Sequence, residues 1–455
     1  MSFDVVVLGG GSGGYATALR GAQLGLNVAL IEADKVGGTC LHRGCIPTKA
    51  MLHAAEVADA VREAGKFGVG AQLTGVDMTQ VNAFKQGVID RLYKGLTGLV
   101  SGRGVTLIEG WGTLVAANAV QVGDQRIEGK HVVLGTGSYA RSIPGVEIGG
   151  RVITSDQALQ MDYVPQNPVV LGGGVIGLEF ASVWTSFGAK VQIVEGLPRL
   201  APNEDEAVSK ALERAFRKRG IGFKTGAMVA EVFQDENSVT VKLQNGETVS
   251  GDILLVAVGR GPRTADLGYE AQGLPMDRGF VLTDDRLRTG VGNVWAVGDI
   301  VPGLQLAHRG FQQGIAVAER IAGLNPPPLI EANIPRVTYC EPEIASIGLT
   351  EAAAKAAYGE DAIETVEYNL AGNGKSQVLQ TQGFVKVVSL KGGPVLGMHM
   401  LGSRVGELVG EAQLIVSWEA HPSDVAELVH AHPTQDEAIG EAFMALAGKP
   451  LHAHA

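Results

Sequence analysis

Two cysteines with four residues between them stand near the start of the chain, in Gly37-Gly38-Thr39-Cys40-Leu41-His42-Arg43-Gly44-Cys45-Ile46-Pro47-Thr48-Lys49. Closing so short a ring constrains little chain, roughly 2 kcal/mol, so stapling distant elements is not its use. A close pair in a chain with one other cysteine, Cys340, points instead to thiol–disulfide redox chemistry. Zinc is the competing use, but it takes four ligands and no second cysteine pair exists. Pro47 sits where a helix would start, and Lys49 to Val61 is amphipathic and helix-favouring. Cys45 then falls at a helix N-terminus, which favours a thiolate. The plain alternative is two buried, inert thiols.

Dithiol chemistry needs a base that titrates near neutrality and a carboxylate to orient it. The stretch His430-Ala431-His432-Pro433-Thr434-Gln435-Asp436-Glu437 contains both types. Each also has a structural reading. Thr434 and Glu437 have capping-box spacing ahead of an apolar helix, and His432 before a proline reads as an extended surface-loop histidine.

Two similar units must position such groups. In the first, the buried-strand pattern Phe3 to Leu8 runs into Gly9-Gly10-Gly11-Ser12-Gly13-Gly14. A helical stretch to Leu24 follows, then a second strand, Val28 to Ile31, and Glu32. This is the strand–GxGxxG–helix–strand–acid order of a dinucleotide site. Gly9 makes the tight turn, Gly11 admits a pyrophosphate, Gly14 lets the helix pack closely, and Glu32 accepts from a ribose diol. The second unit runs from Pro168 through Gly172, Gly174 and Gly177 to Glu195. The same 163 residues separate Gly9 from Gly172 and Glu32 from Glu195. The chain is therefore expected to bind two dinucleotides. Glu195 would repel a 2′-phosphate, which predicts NAD over NADP, with Arg199 placed to soften that preference.

Composition sets the class. The 455 residues are 45% apolar and 19% charged, with 64 glycines. That is a multidomain globular protein with about twice the usual ~7% share of glycine, hence many tight turns. Acidic residues outnumber basic ones 48 to 37 for a net charge of −11, which argues against nucleic acid as a partner. No apolar run reaches the ~18 residues of a spanning helix, so no membrane partner is expected. Three cysteines and the lack of a leader-like start suggest a cytoplasmic setting.

These motifs together resemble the pyridine nucleotide–disulfide oxidoreductases over essentially the whole chain. The resemblance implies an α/β fold class with two Rossmann-like dinucleotide-binding domains, for FAD and NAD, plus an α+β C-terminal dimerisation domain. Gly135-Thr136-Gly137-Ser138 and Val258-Gly259-Arg260 are similar to the family's two connections between those domains. Thr289 to Asp299 resembles its second FAD motif, with Asp299 on the ribityl chain. For FAD the resemblance implies Gly9, Gly11, Gly14, Glu32, Thr39, Lys49, Gly112, Thr136, Gly137, Ser138, Asp299 and Ala307. For NAD it implies Gly172, Gly174, Gly177, Glu195, Val229 and Gly259. Cys40 and Cys45 would be the redox disulfide, His432 the base and Glu437 its partner, with Lys49 and Glu179 an ion pair beside the flavin. The implied domains are FAD-binding 1–145, NAD-binding 146–270, central 271–335 and interface 336–455. Pro326-Pro327-Pro328 is the linker before the last, where Tyr339 to Glu351 marks the start of the family's interface domain.

Within the family, His430-Ala431 is most similar to the branch that oxidises dihydrolipoamide with NAD⁺. That implies a homodimer serving the lipoyl-bearing acyltransferase of a 2-oxoacid dehydrogenase complex, or the glycine-cleavage lipoyl protein. The alternatives are a reductase for glutathione or another small thiol, and a redox-sensing flavoprotein. His430 itself is expected to be structural. Two departures stand out. His42-Arg43 replaces a common Asn-Val and would add positive charge near the disulfide, and Gln313 replaces a common glutamate, removing a carboxylate near the flavin. The C-terminal Lys449 to Ala455 lacks the cysteines that some members place there. His452 and His454 in it read as a frayed tail, and no metal is expected.

Overall fold

The computed structural model describes residues 2–452. Strand β1 (Ser2–Leu8) is the centre of the first sheet, and its Val5, Val6, Val7 and Leu8 are buried on both faces, as an interior parallel strand requires. Helix α1 (Ser12–Gln23) returns the chain to β2 (Val28–Glu32), parallel to β1. Then come α2 (Gly38–Arg43), α3 (Cys45–Glu63) and the long α4 (Met78–Gly102), which leads into β3 (Thr106–Glu109), parallel to β2. Strands β4 (Gly112–Ala116), β5 (Ala119–Val122) and β6 (Gln125–Leu134) form an antiparallel meander that brings β6 back beside β1. The sheet order is β3-β2-β1-β6-β5-β4. A strand from far along the chain, Val294–Ala296, joins β6 in parallel.

The helix Ala307–Ile321 crosses α1 at very close range. A Cβ on Gly314 would lie 2.2 Å from the Gly13 carbonyl oxygen, so small residues at this crossing let residues near 310 reach the first nucleotide loop.

The second sheet repeats the pattern. Its five parallel strands run in the order Gly222–Lys224, Gln192–Val194, Pro168–Leu171, Ile253–Val256 and Val152–Ile153, beside an antiparallel three-stranded ribbon that begins with Val229–Gln234. The two predicted connections meet each other: Ser138–Ala140 pairs antiparallel with Arg260–Pro262. The third sheet is antiparallel and spans Arg336–Thr338 to Val395–Gly402. The helices Val405–Ser417 and Glu437–Leu446 bury Ile415, Ile439 and Phe443 against its Val387 and Met398.

Asp205 joins the second unit to the third. It caps the helix Glu206–Lys218 through the Ala207 amide, accepts from the Glu351 amide at 3.0 Å, and pairs with Lys386 at 2.8 Å in a buried setting. No helix among the described residues is long and apolar enough to cross a membrane.

Candidate active site

Cys40 lies on α2 and Cys45 is the first residue of α3, two residues ahead of the start that Pro47 suggested. Pro47 is the third residue of α3, where a missing N–H leaves no helical bond unmade. Both cysteines stand as half-buried thiols in hydrogen-bond contact, and the contact is asymmetric. The bond from Cys40 holds the Cys45 thiol down at about 7, against the opposing effect of burial and with help from Lys49. The same bond pushes Cys40 far up. Of the two, Cys45 at the helix N-terminus is therefore the thiol that ionises first, and Cys40 keeps its proton.

Lys49, one turn along α3, places Nζ 2.8 Å from both carboxylate oxygens of Glu179, which sits on the helix Val175–Ser186 of the second unit. Burial pulls the Lys49 ammonium down, but Glu179 holds it above its ordinary value. The Tyr339 amide donates to Glu179 at 3.0 Å, and the Tyr339 ring lies 4.8 Å from Lys49 Nζ. Three regions of the chain meet within reach of Cys45.

His432 and Glu437 also come together, with Nδ1 2.8 Å from Oε1. Burial works to raise the Glu437 carboxyl, but the Thr434 amide (2.9 Å) and His432 hold it below its ordinary range. An ionised carboxylate only accepts, so Nδ1 donates to it and Nε2 is the ring nitrogen left to face a substrate. The ring is 77% exposed, and among the described residues no hydrogen bond joins it to Cys40 or Cys45. The His432–Pro433 peptide is cis. His430, in contrast, is packed over Gly440 and bonded to Glu411 at 2.9 Å, as a structural histidine would be.

The glycines of each loop differ in the space around them. A Cβ on Gly9 (φ +101°) would meet the Gly135 oxygen at 2.3 Å, and one on Gly14 the Gly9 oxygen at 1.7 Å, whereas one on Gly11 would meet nothing within 4 Å. The second unit matches: Gly172 (φ +112°) and Gly177 are closed by backbone, and Gly174 is open. In each loop the outer glycines serve the protein's own packing, and the middle one leaves room for a phosphate. Glu32 and Glu195 also correspond, each bridging two amides of its own turn: Gly10 and Asp34 for Glu32, Gly173 and Leu197 for Glu195. Each oxygen keeps a lone pair for a ribose hydroxyl. Arg199 is turned from Glu195 to the carbonyls of Pro202 and Glu204.

A cleft of about 320 Å³ opens above the first loop. Its wall includes Gly9, Gly11, Glu32, Thr39, Gly112 and the Thr136-Gly137-Ser138 turn. A cleft with an open glycine over a helix N-terminus that no side chain caps, and an acid at the strand end, fits the phosphates and ribose of FAD. Gly14, Lys49, Asp299 and Ala307 lie off that wall. Asp299 accepts from Ser138 Oγ, to which Arg260 donates at 2.7 Å, and Ala307 opens a helix whose cap Leu306 makes no side-chain bond. In the second unit Val229 packs partly buried among Val194, Leu171 and their neighbours, and Gly259 (φ +109°) leads into the paired connection.

Sequence reasoning missed Trp111, Asp156 and Arg263 on the cleft wall, and gave Arg260 only as part of a connection between domains. One expectation needs correcting, and two departures find their places. Arg43 pairs with Asp34 on the cleft wall, while His42 turns to the Val36 carbonyl at 3.0 Å. Gln313 offers a neutral acceptor in place of the common glutamate, its Oε1 taking the Gly298 amide at 2.7 Å. The tail is tied down at His452, whose amide and Nδ1 bind Glu441 at 3.0 and 2.7 Å, and His454 lies outside the described residues.

Comparison with known proteins agrees with this arrangement. The chain matches the pyridine nucleotide-disulphide oxidoreductase family over residues 3–314 and that family's dimerisation domain over residues 334–443. It is 39% identical to a dihydrolipoyl dehydrogenase of Bacillus subtilis, over 99% of both chains, and 37% identical to one of Pseudomonas aeruginosa over 99% and 98%. Among solved structures it is similar to LpdA from Mycobacterium tuberculosis, with a TM-score of 0.90 at 26% identity over 97% and 99% of the two chains. It is also similar to the HOCl-induced flavoprotein disulfide reductase RclA from Escherichia coli, at 0.86 and 26% over 97% and 99%. The chain belongs to the pyridine nucleotide-disulphide oxidoreductase family.

Proposed function

We propose that this chain is an FAD-containing enzyme that oxidises protein-bound dihydrolipoamide to lipoamide with NAD⁺ as hydride acceptor. The observation that carries the reading is the placement of the Cys40–Cys45 pair, with Cys45 opening helix α3 and the Lys49–Glu179 ion pair one turn along it. The full-length similarity to dihydrolipoyl dehydrogenases supports this substrate over glutathione. FAD, when bound in the first cleft, supplies the two-electron relay between the dithiol and the nicotinamide.

The chain's own groups do the sulfur and proton chemistry. His432 Nε2 takes a proton from one substrate thiol, and the resulting thiolate attacks Cys40 Sγ of the oxidised pair. The Cys40–Cys45 bond breaks, and Cys45 leaves as a thiolate that Lys49 and the α3 N-terminus stabilise. The second substrate thiol then closes the lipoyl disulfide and displaces Cys40, which takes the proton held by His432, while one proton goes to water. Cys40 as thiol and Cys45 as thiolate is the protonation state favoured in the structure. Glu437 keeps the His432 ring in the tautomer these steps need.

The exposure of His432 and the dimerisation-domain match support a homodimer in which each His432 serves the thiol pair of the other subunit. The partner in this reading is the lipoyl-bearing acyltransferase of a 2-oxoacid dehydrogenase complex. With three cysteines in the chain, a reducing, cytoplasmic compartment suits it. The test is a steady-state panel with NAD⁺ as acceptor. Dihydrolipoamide should turn over and glutathione should not; turnover of glutathione or another small thiol alone would overturn the reading.

A further inference from the structure

The first cleft has an end that the sulfur chemistry does not use. Strand β3 lies beside β2 with Glu109 opposite Glu32, and the Gly110 amide continues the ladder to the Glu32 carbonyl at 2.9 Å. A Cβ on Gly112 would sit 2.6 Å from Leu8 Cδ1 and 2.9 Å from Val120 Cγ1, so that residue is pressed into the core. Trp111, between these two glycines, is held on the cleft wall next to the strand end that carries Glu32, and it is 54% exposed. Arg43, the last residue of α2, reaches the same cleft and pairs there with Asp34, two residues past Glu32. An indole, a guanidinium and a ribose-directed carboxylate at one end of a phosphate-binding cleft have the chemistry of an adenosine site: a flat π-face, a diol and neighbouring negative charge.

We propose that Trp111 is the stacking surface for the adenine ring of FAD and that the Arg43–Asp34 pair bounds the same subsite, so that this end selects the dinucleotide over FMN. The inference rests on the first cleft being the FAD site. Stacking of a base on an aromatic side chain is typically worth a factor of about 10 to 100 in affinity.

The experiment titrates apoprotein made from the purified full chain with FAD, FMN and ADP, following intrinsic fluorescence and the affinity of each. Wild type should bind FAD and ADP with quenching of tryptophan emission. Trp111→Ala should weaken FAD and ADP about 10- to 100-fold and leave FMN unchanged, while Trp111→Phe, which keeps a ring, should recover most of the affinity. Arg43→Ala should weaken both adenine ligands in a salt-dependent way. Unchanged FAD affinity in Trp111→Ala, equal loss in the Phe and Ala variants, or equal loss for FMN and FAD would each overturn the proposal alone. A wild-type protein that takes up no FAD would overturn the reading of the cleft as well.

Discussion

Glu437 holds His432 Nδ1 at 2.8 Å with one carboxylate oxygen and the Thr434 amide at 2.9 Å with the other. Of the capping box expected from Thr434 and Glu437 only this amide bond forms: the helix starts at Glu437 itself, with Asp436 before it and no side-chain cap, and the Thr434 hydroxyl donates to the Ala431 carbonyl instead. The Thr434 bond fixes the carboxylate, and the carboxylate fixes the imidazole tautomer.

The first expected consequence is a split between the two halves of the reaction. His432→Gln keeps a polar group but no base, and it should slow oxidation of dihydrolipoamide by about 10²–10⁴. Reduction of an artificial dye by NADH, which needs no thiol proton transfer, should persist. Parallel loss of both activities would assign His432 a structural role.

Lys49 and Glu179 act on the Cys45 thiol with opposite signs: the ammonium lowers its pKa and the carboxylate raises it. In dithiol-reduced protein the pH profile of Cys45 alkylation should therefore have a midpoint near 7. Lys49→Met should move it upward and Glu179→Gln downward. Cys40→Ser should test the hydrogen bond that dominates the shift. Shifts of the same sign in the two ion-pair variants would show that the pair acts through packing rather than charge.

How far these groups were legible in the sequence depended on how local their signals are. Gly9, Gly11 and Gly14 with Glu32 carry a complete local pattern, and so do their counterparts in the second unit, because a tight turn, an open backbone and a strand-end acid must sit at fixed offsets. Cys45 at a helix start was readable from Pro47 and the amphipathic run after it. The Lys49–Glu179 pair spans two sheets, and spacing alone gave no reason to join them. It came from the family resemblance. Trp111, Asp156 and Arg263 reach the cleft from separate segments with no motif of their own, so only the fold brings them together. Arg43 was legible as an unusual charge, but its pairing with Asp34 was not, because no local pattern links the two.

The glycine loop gives a contrast between stability and binding. Gly14→Ala places a methyl 1.7 Å from the Gly9 oxygen, so the helix must shift, and the apoprotein should lose about 1–3 kcal/mol and several degrees of Tm. Gly11→Ala meets nothing in the chain and should leave the apoprotein Tm nearly unchanged while weakening FAD uptake. Calorimetry and flavin titration of the two variants separate these effects, and a large Tm loss in Gly11→Ala would contradict the division of labour.

Coenzyme choice should follow Glu195, whose carboxylate is buried and fixed by the Gly173 and Leu197 amides while Arg199 faces elsewhere. The ratio of kcat/KM should favour NADH over NADPH, and Glu195→Ala should narrow it. A preference for NADPH in the unaltered protein would contradict the assignment.

The central claim is that electrons enter at the Cys40–Cys45 pair from a dithiol and leave as hydride to NAD⁺. Anaerobic titration of the purified yellow protein with dihydrolipoamide, followed by addition of NAD⁺, tests it most directly. The account predicts that dihydrolipoamide reduces the protein stoichiometrically, that NADH then forms, and that Cys45→Ser does neither. A protein that NADH reduces but dihydrolipoamide does not, or a Cys45→Ser variant that still makes NADH from dihydrolipoamide, would contradict it.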